Sequence, residues 1–189
     1  MSNRLDLPTI VFAGFSILYP LIAIAAVRTV GPGAAVAIVI ALLGARLLLP
    51  VVRGVPVSMS LALLPVLIAV AIVAGFDRPL SVRLYPVFMN AAMLGAFGST
   101  LFNPPSMAER FARVFEPDLP EGGVRYTRKV TIVWVGFFAV NGAIALWSVL
   151  QPGWPAWVLY NGFIAYAAAG LLFAGEYLVR RRVRRRHGQ

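Results

Sequence analysis

Cysteine is absent from this 189-residue chain, which excludes disulfides, thiol nucleophiles and cysteine metal sites. Histidine occurs once, as His187 near the end, so histidine metal clusters and histidine-based triads are excluded as well. Charge is scarce at 13% of residues, and lysine occurs once against sixteen arginines, a bias that a GC-rich bacterial genome produces. HExxH, GxSxG and phosphate-loop patterns are missing, and no pair of carboxylates falls in the middle of an apolar run. Enzyme activity therefore has no support in the sequence, and no metal or cofactor is implied.

What is present is hydrophobicity, at 60% apolar residues and a mean hydropathy of +0.82. Soluble domains of this size need charged faces, and here they are missing over runs of about twenty residues, the length that crosses about 30 Å of hydrocarbon. The expected fold class is all-α: a single polytopic helical bundle with about six transmembrane helices and one amphipathic interfacial helix. The runs fall at 7–27, 31–49, 55–76, 84–102, 130–150 and 156–178. A loop at 103–129 and a basic tail at 179–189 complete the chain.

Charge asymmetry orients this arrangement. With both termini inside, fourteen of the seventeen bases fall on the inner side, and only Arg28, Arg78 and Arg83 fall in outer loops. That split follows the positive-inside rule and implies a bacterial inner membrane with cytoplasmic N- and C-termini. Arg180, Arg181, Arg182, Arg184, Arg185 and Arg186 directly follow an apolar span. They read as a stop-transfer anchor on anionic headgroups rather than a nucleic-acid site. Ala23-Ile24-Ala25 resembles a signal-cleavage site, but the length of its apolar run and Pro20 favour an uncleaved first span. Pro20 and Pro65 are expected to kink their spans, and Gln151 to Trp157 to break the last long apolar stretch. Asn141-Gly142 and Asn161-Gly162 lie inside apolar runs and are expected to be helical. Trp134, Trp147, Trp154 and Trp157 fall near the expected ends of the last two spans and read as an interfacial belt.

The only long polar island lies between Phe102 and Val130, with four acids and five bases. Ser106 and Glu109 have the spacing of a helix-start capping box. Met107, Phe111, Val114 and Phe115 then form one helical stripe, with Glu109, Arg110, Arg113 and Glu116 on the opposite face. Glu109 and Arg113 make an i,i+4 pair. The expected object is a short helix lying on the inner leaflet, stopped by Pro117 and followed by an acidic turn from Glu116 through Asp118 and Glu121 to Gly123. Arg125, Tyr126, Thr127, Arg128 and Lys129 lead into the next span. Three uses fit the island: a self-paired loop, a phosphate or carboxylate headgroup site, or a dock for a charged protein. Its binding candidates are Glu109, Arg110, Arg113, Glu116, Asp118, Arg125, Tyr126 and Arg128.

Inside the apolar runs, Asn90, Asn141 and Asn161 need hydrogen-bond partners, either as interhelical ties or as the lining of a path. Glu176 lies four residues before Arg180 and either pairs there or serves a proton or cation.

Three groups of residues also carry a resemblance. They are Leu84-Tyr85-Pro86-Val87-Phe88-Met89-Asn90, the loop motifs Glu109-Arg110, Ala112-Arg113, Glu116-Pro117-Asp118-Leu119-Pro120 and Gly123 to Arg128, and the span motif Trp134, Phe137-Phe138 and Asn141-Gly142. Over about residues 84–182 the chain resembles an uncharacterised family of small bacterial inner-membrane proteins. Members are encoded beside acyltransferases, acyl carrier proteins and ketosynthases in clusters for aryl-polyene or related acyl lipids. The last two spans also resemble, more distantly, the intracellular septation protein A family. The first resemblance implies a membrane accessory that recruits acyl carrier protein or acyltransferase partners in lipid biosynthesis. A small transporter or flippase and an envelope or septation protein are the alternatives, and no catalytic residue carries over.

Overall fold

In the computed structural model, residues 64–186 are described, together with Gly33, Ala37, Ile40 and Ala41, which are helical. Side chains are described through Arg180, apart from Phe115. The expected runs at 7–27 and 31–49, residues 55–63, Pro20, Arg28 and the tail side chains beyond Arg180 lie outside the described residues or nearly so. All regular structure among the described residues is helical.

The first unit holds four helices: α1 (Leu64–Phe76), α2 (Arg78–Phe102), α3 (Met107–Phe115) and α4 (Glu121–Leu150). A single extended residue, Asp77, separates α1 from α2. Its carboxylate accepts the Leu80 N–H at 2.9 Å, and Pro79 follows inside the first turn. This N-cap and early proline start α2 six positions before the expected residue 84. Arg78 and Arg83 are therefore helical, and the expectation that they lie in an outer loop is corrected. Hydropathy alone ends a span at each arginine, whereas a capped helix continues through them.

Helix α4 likewise begins earlier than the expected residue 130. The stretch read as the end of an acidic turn and a lead-in is helical from Glu121, leaving only Glu116 to Pro120 between α3 and α4. Gly122 and Gly123 do not break it. The absent side chain of Gly123 leaves room for Leu119, whose Cδ1 would stand 2.8 Å from an added Cβ. The Thr127 hydroxyl donates to the Gly123 and Val124 carbonyls.

α2 and α4 run antiparallel along a seam read from their buried positions. On α4 these are Thr127, Thr131, Trp134, Asn141, Ala145, Ser148 and Val149; up to Ser148 they alternate steps of three and four, with Phe138 in the remaining place. That spacing is the knobs-into-holes pattern of paired helices. Phe97 of α2 meets Phe138 edge-on at 5.1 Å, and Phe138 also touches Trp134 at 5.7 Å. Trp134 is thus part of the packed seam, more than three turns from the start of α4, and not a residue at a helix end.

The second unit, described by itself, includes Gln151 onward. The chain bends over Gln151 to Trp154, with Gly153 at φ 71°. It continues through α5 (Pro155–Leu159), a π-helical turn (Tyr160–Ile164) and α6 (Ala165–Arg186). Asn141 and Asn161 are both helical, as expected, although Asn161 and Gly162 take the wider π form. Trp157 is fully buried and meets Trp154 edge-on at 5.5 Å.

Among the described residues, three helical segments are long and apolar enough to cross a membrane: Arg78–Phe102, Glu121–Leu150 and Pro155–Arg180, of 25, 30 and 26 residues. At about 1.5 Å per residue each exceeds the roughly 30 Å of a hydrocarbon core. The described part of the third expected span, α1, is shorter at 13 residues.

Candidate functional site

The polar island folds at the end of the α2–α4 pair where α2 stops and α4 starts. Ser106 occupies the N-cap position of α3, as the capping pattern implies, but its side chain makes no cap hydrogen bond. The capping-box expectation is corrected here. Two threonines from the long helices take that role. Met107 N–H donates to Thr100 Oγ1 at 2.9 Å, and Ala108 N–H donates to Thr131 Oγ1 at 3.1 Å. Each hydroxyl in turn donates to its own helix, Thr100 to the Phe97 carbonyl and Thr131 to the Thr127 carbonyl. The first two N–H groups of α3, which its own turns cannot satisfy, are thereby stitched to both neighbours.

α3 turns Met107, Ala108 and Ala112 inward and Phe111 and Val114 outward, so the expected apolar stripe is split between the two sides. Glu109 lies on the inward face. Its carboxylate is 8% exposed and accepts from Arg113 at 2.8 and 3.0 Å through one oxygen. Arg113 also donates to the Pro117 carbonyl at 2.9 Å, holding the chain where it leaves α3. Glu116 is half-buried at the C-cap, and the helix ends before Pro117, as expected. Of the eight candidates, Glu109 and Arg113 are thus joined in a local structural tie.

The others are placed differently. Arg110 and Arg128 are exposed: Arg110 Nε donates to the Pro105 carbonyl in the α2–α3 connection, and Arg128 Nη1 to the Leu101 carbonyl in the last turn of α2 at 2.8 Å. Arg125 and Asp118 are exposed, and Tyr126 is half-buried. Arg125, Arg128 and Lys129 share one face of α4 with exposed Ile132, at steps of three and four.

Arg128 has a counterpart at the far end of the pair. Arg83 of α2 donates through Nη2 to the Ser148 carbonyl at 3.2 Å, in the last turn of α4. Each long helix therefore lends an arginine to the carboxyl end of the other, where unsatisfied carbonyls and the negative end of the helix dipole favour a cation. Between these two ties, Asn141 Nδ2 donates to Asn90 Oδ1 at 2.9 Å, and Asn90 Nδ2 to the Pro86 carbonyl at 2.8 Å. Asn161 donates within its own helix, to the Trp157 carbonyl at 3.0 Å. Glu176 is half-buried in α6.

Thr100, Thr131 and the Arg83–Ser148 tie escape a reading of the sequence by hydropathy. Their signal was available in the three-four spacing of Thr127, Thr131, Trp134, Asn141 and Ser148, which marks one polar and small-residue face of an otherwise apolar helix.

These features define the class: a helical protein with segments long and apolar enough to cross a membrane, and a structured polar cap on one end of an antiparallel pair. No protein-family model, curated protein or solved structure matches the chain.

Proposed function

We propose that the protein is a six-span integral protein of a bacterial inner membrane, with both termini cytoplasmic, and that it acts without catalysis as a scaffold. Its role is to bring an acidic acyl carrier protein or an acyltransferase to the membrane during acyl lipid synthesis of the aryl-polyene kind. The observation that carries this reading is the basic first part of α4. The helix continues outward beyond its apolar face and carries Arg125, Arg128 and Lys129 exposed on one side. Such a rigid cationic ridge speeds and selects the encounter with an acidic partner. The mutual bond of Asn90 and Asn141 favours helix packing over the lining of a transport path, so the scaffold reading stands ahead of the transporter.

The test uses the full-length protein in detergent and, as probe, the purified acyl carrier protein encoded nearest to its gene. Wild type should retain the carrier at low salt and release it near 0.5 M salt, where screening is within about 3–8 Å. The Arg125→Glu/Lys129→Glu variant should retain at least tenfold less. Equal recovery by both would end the proposal, as would a gene neighbourhood without acyl-lipid enzymes.

A further inference from the structure

Arg110 and Arg128 stand apart from the other bases because they bind carbonyls four residues apart where α2 gives way to α3, Arg128 in the last turn of α2 and Arg110 in the connection that follows. Arg128 binds the Leu101 carbonyl, and the next residue, Phe102, is 85% exposed. Arg110 binds the Pro105 carbonyl and is followed by exposed Phe111. One turn beyond Arg110, Val114 is 74% exposed. Each guanidinium commits one nitrogen to the protein and keeps the rest of its fork at the surface. On α4 the character of the outward face changes at this level, from Arg128 and Lys129 to exposed Ile132 and Val133. Of the nearby acids, Glu109 is buried against Arg113, Glu116 is half-buried at the far end of α3, and the exposed Asp118 and Glu121 precede Arg128 by seven residues or more.

We propose that Arg110 and Arg128 together hold the phosphate of an anionic phospholipid, whose acyl chains lie against Phe102, Phe111 and Val114. Guanidinium groups match phosphate oxygens in geometry as well as charge. Large apolar side chains at this exposure are costly in water and are the signature of a surface that something apolar covers. A lipid leaflet supplies both the anion and the apolar cover, whereas an acidic soluble protein supplies only the first. The short helix is then an interfacial one, held by Thr100 and Thr131 with its apolar side toward the acyl region. The inference rests on the membrane reading above but not on the carrier-protein partner; the two share Arg128, and the tests vary Arg125 and Lys129 for the partner and Arg110 with Arg128 for the lipid.

The experiment follows lipid retained by the full-length protein in mixed micelles by native mass spectrometry, comparing phosphatidylglycerol with phosphatidylcholine. Wild type should prefer phosphatidylglycerol by tenfold or more. Arg110→Gln/Arg128→Gln should lower that preference about tenfold, on the scale expected for two bases near an anionic surface. Arg110→Lys/Arg128→Lys should fall between wild type and the glutamine variant, because lysine keeps the charge but loses the planar fork. Equal retention of the two lipids by wild type, or no loss in the glutamine variant, overturns the proposal. Inorganic phosphate at 10 mM should leave the bound lipid in place, and full displacement would make this a free-phosphate site instead. If the glutamine variant does not fold, Phe111→Ser/Val114→Ser keeps both arginines and should lower phosphatidylglycerol retention several-fold; unchanged retention again overturns the idea. Phe111→Ser/Val114→Ser should leave carrier retention unchanged, so loss of carrier binding and loss of lipid binding are separable failures.

Discussion

Asn141 donates its amide to the side-chain oxygen of Asn90 at 2.9 Å, while Asn90 donates to the Pro86 carbonyl on its own helix. The two residues sit midway between the arginine ties at the ends of α2 and α4, so one polar contact fixes the register of the pair. Ties of this kind between membrane helices contribute about 0.6–2 kcal/mol. Asn90→Ala and Asn141→Ala should each lower stability by about that amount. The double variant should cost less than the two singles together, by a coupling of about 0.5–1.5 kcal/mol. Unfolding in mixed detergent micelles measures all three. Strict additivity would mean the side chains act independently.

The start of α3 makes a sharper distinction. A capping box predicts that Ser106→Ala costs about 0.5–2 kcal/mol, but Ser106 makes no side-chain cap bond. The change should therefore cost less than about 0.5 kcal/mol. Thr131→Val and Thr100→Val each remove the acceptor of a buried or half-buried N–H and should cost about 1–2 kcal/mol. Amide exchange over residues 107–115 should accelerate in the threonine variants and stay near wild type in Ser106→Ala. The reverse ranking would restore the local cap.

Much of the fold is legible in the sequence because hydropathy and proline act locally. The break over Gln151 to Trp154, the stop at Pro117 and the helical state of Asn141 all follow from neighbouring residues. The starts of α2 and α4 are not legible from hydropathy, which takes charge as the end of a helix. At Arg78 the cap on Asp77 outweighs the charge, and at Gly122-Gly123 the helix persists through residues that usually end one. In the site, the i,i+4 pairing of Glu109 with Arg113 is legible, since both lie on one short helix. Its burial is not, because burial depends on which side of α3 meets α4. The amides of Asn90 and Asn141 were singled out, yet their partnership needs the antiparallel register, and no window of sequence contains both.

The Glu109–Arg113 tie leads to a prediction of opposite sign from that for an exposed pair. Exposed i,i+4 pairs contribute a few tenths of a kcal/mol. Here the Glu109 carboxylate is 8% exposed and Arg113 39%, so the arginine answers a desolvated charge. Arg113→Ala should destabilise the protein by more than Glu109→Gln does, by about 1–3 kcal/mol in the first case. Adding Glu109→Gln to Arg113→Ala should recover part of the loss. Thermal midpoints of the three variants decide this, and a double variant worse than Arg113→Ala would refute it.

At the opposite end of the pair, Arg83 supports the last turn of α4 through the Ser148 carbonyl. Removing its charge with Arg83→Gln should cost about 1–2 kcal/mol, the range for a cation at a partly buried helix carboxyl end. Arg83→Lys should restore about half, because lysine keeps the charge but loses the planar fork. Exchange of the amides near residues 145–150 should rise in Arg83→Gln while those of 107–115 stay unchanged. A change spread evenly over both ends would show that Arg83 acts on the whole pair instead of the α4 terminus.

At Gly142 the two long helices approach closely, since a Cβ added there would stand 3.0 Å from the Asn90 Cβ. Alanine brings opposing effects: about 1 kcal/mol of helix propensity is gained, while the neighbouring backbone must yield by a few tenths of an ångström. Leucine has no such balance. Its branch enters the seam beside the Asn90–Asn141 bond and forces α2 and α4 apart, so Gly142→Leu should cost about 1–3 kcal/mol or more. It should also remove the coupling between Asn90 and Asn141 in a double-variant cycle repeated in the leucine background. Gly136 on the same helix has nothing within 4 Å of an added Cβ, which makes Gly136→Leu the matched control, expected between wild-type stability and a gain of about 1 kcal/mol from helix propensity. If both leucine variants unfold at the wild-type midpoint, the two helices do not meet at Gly142.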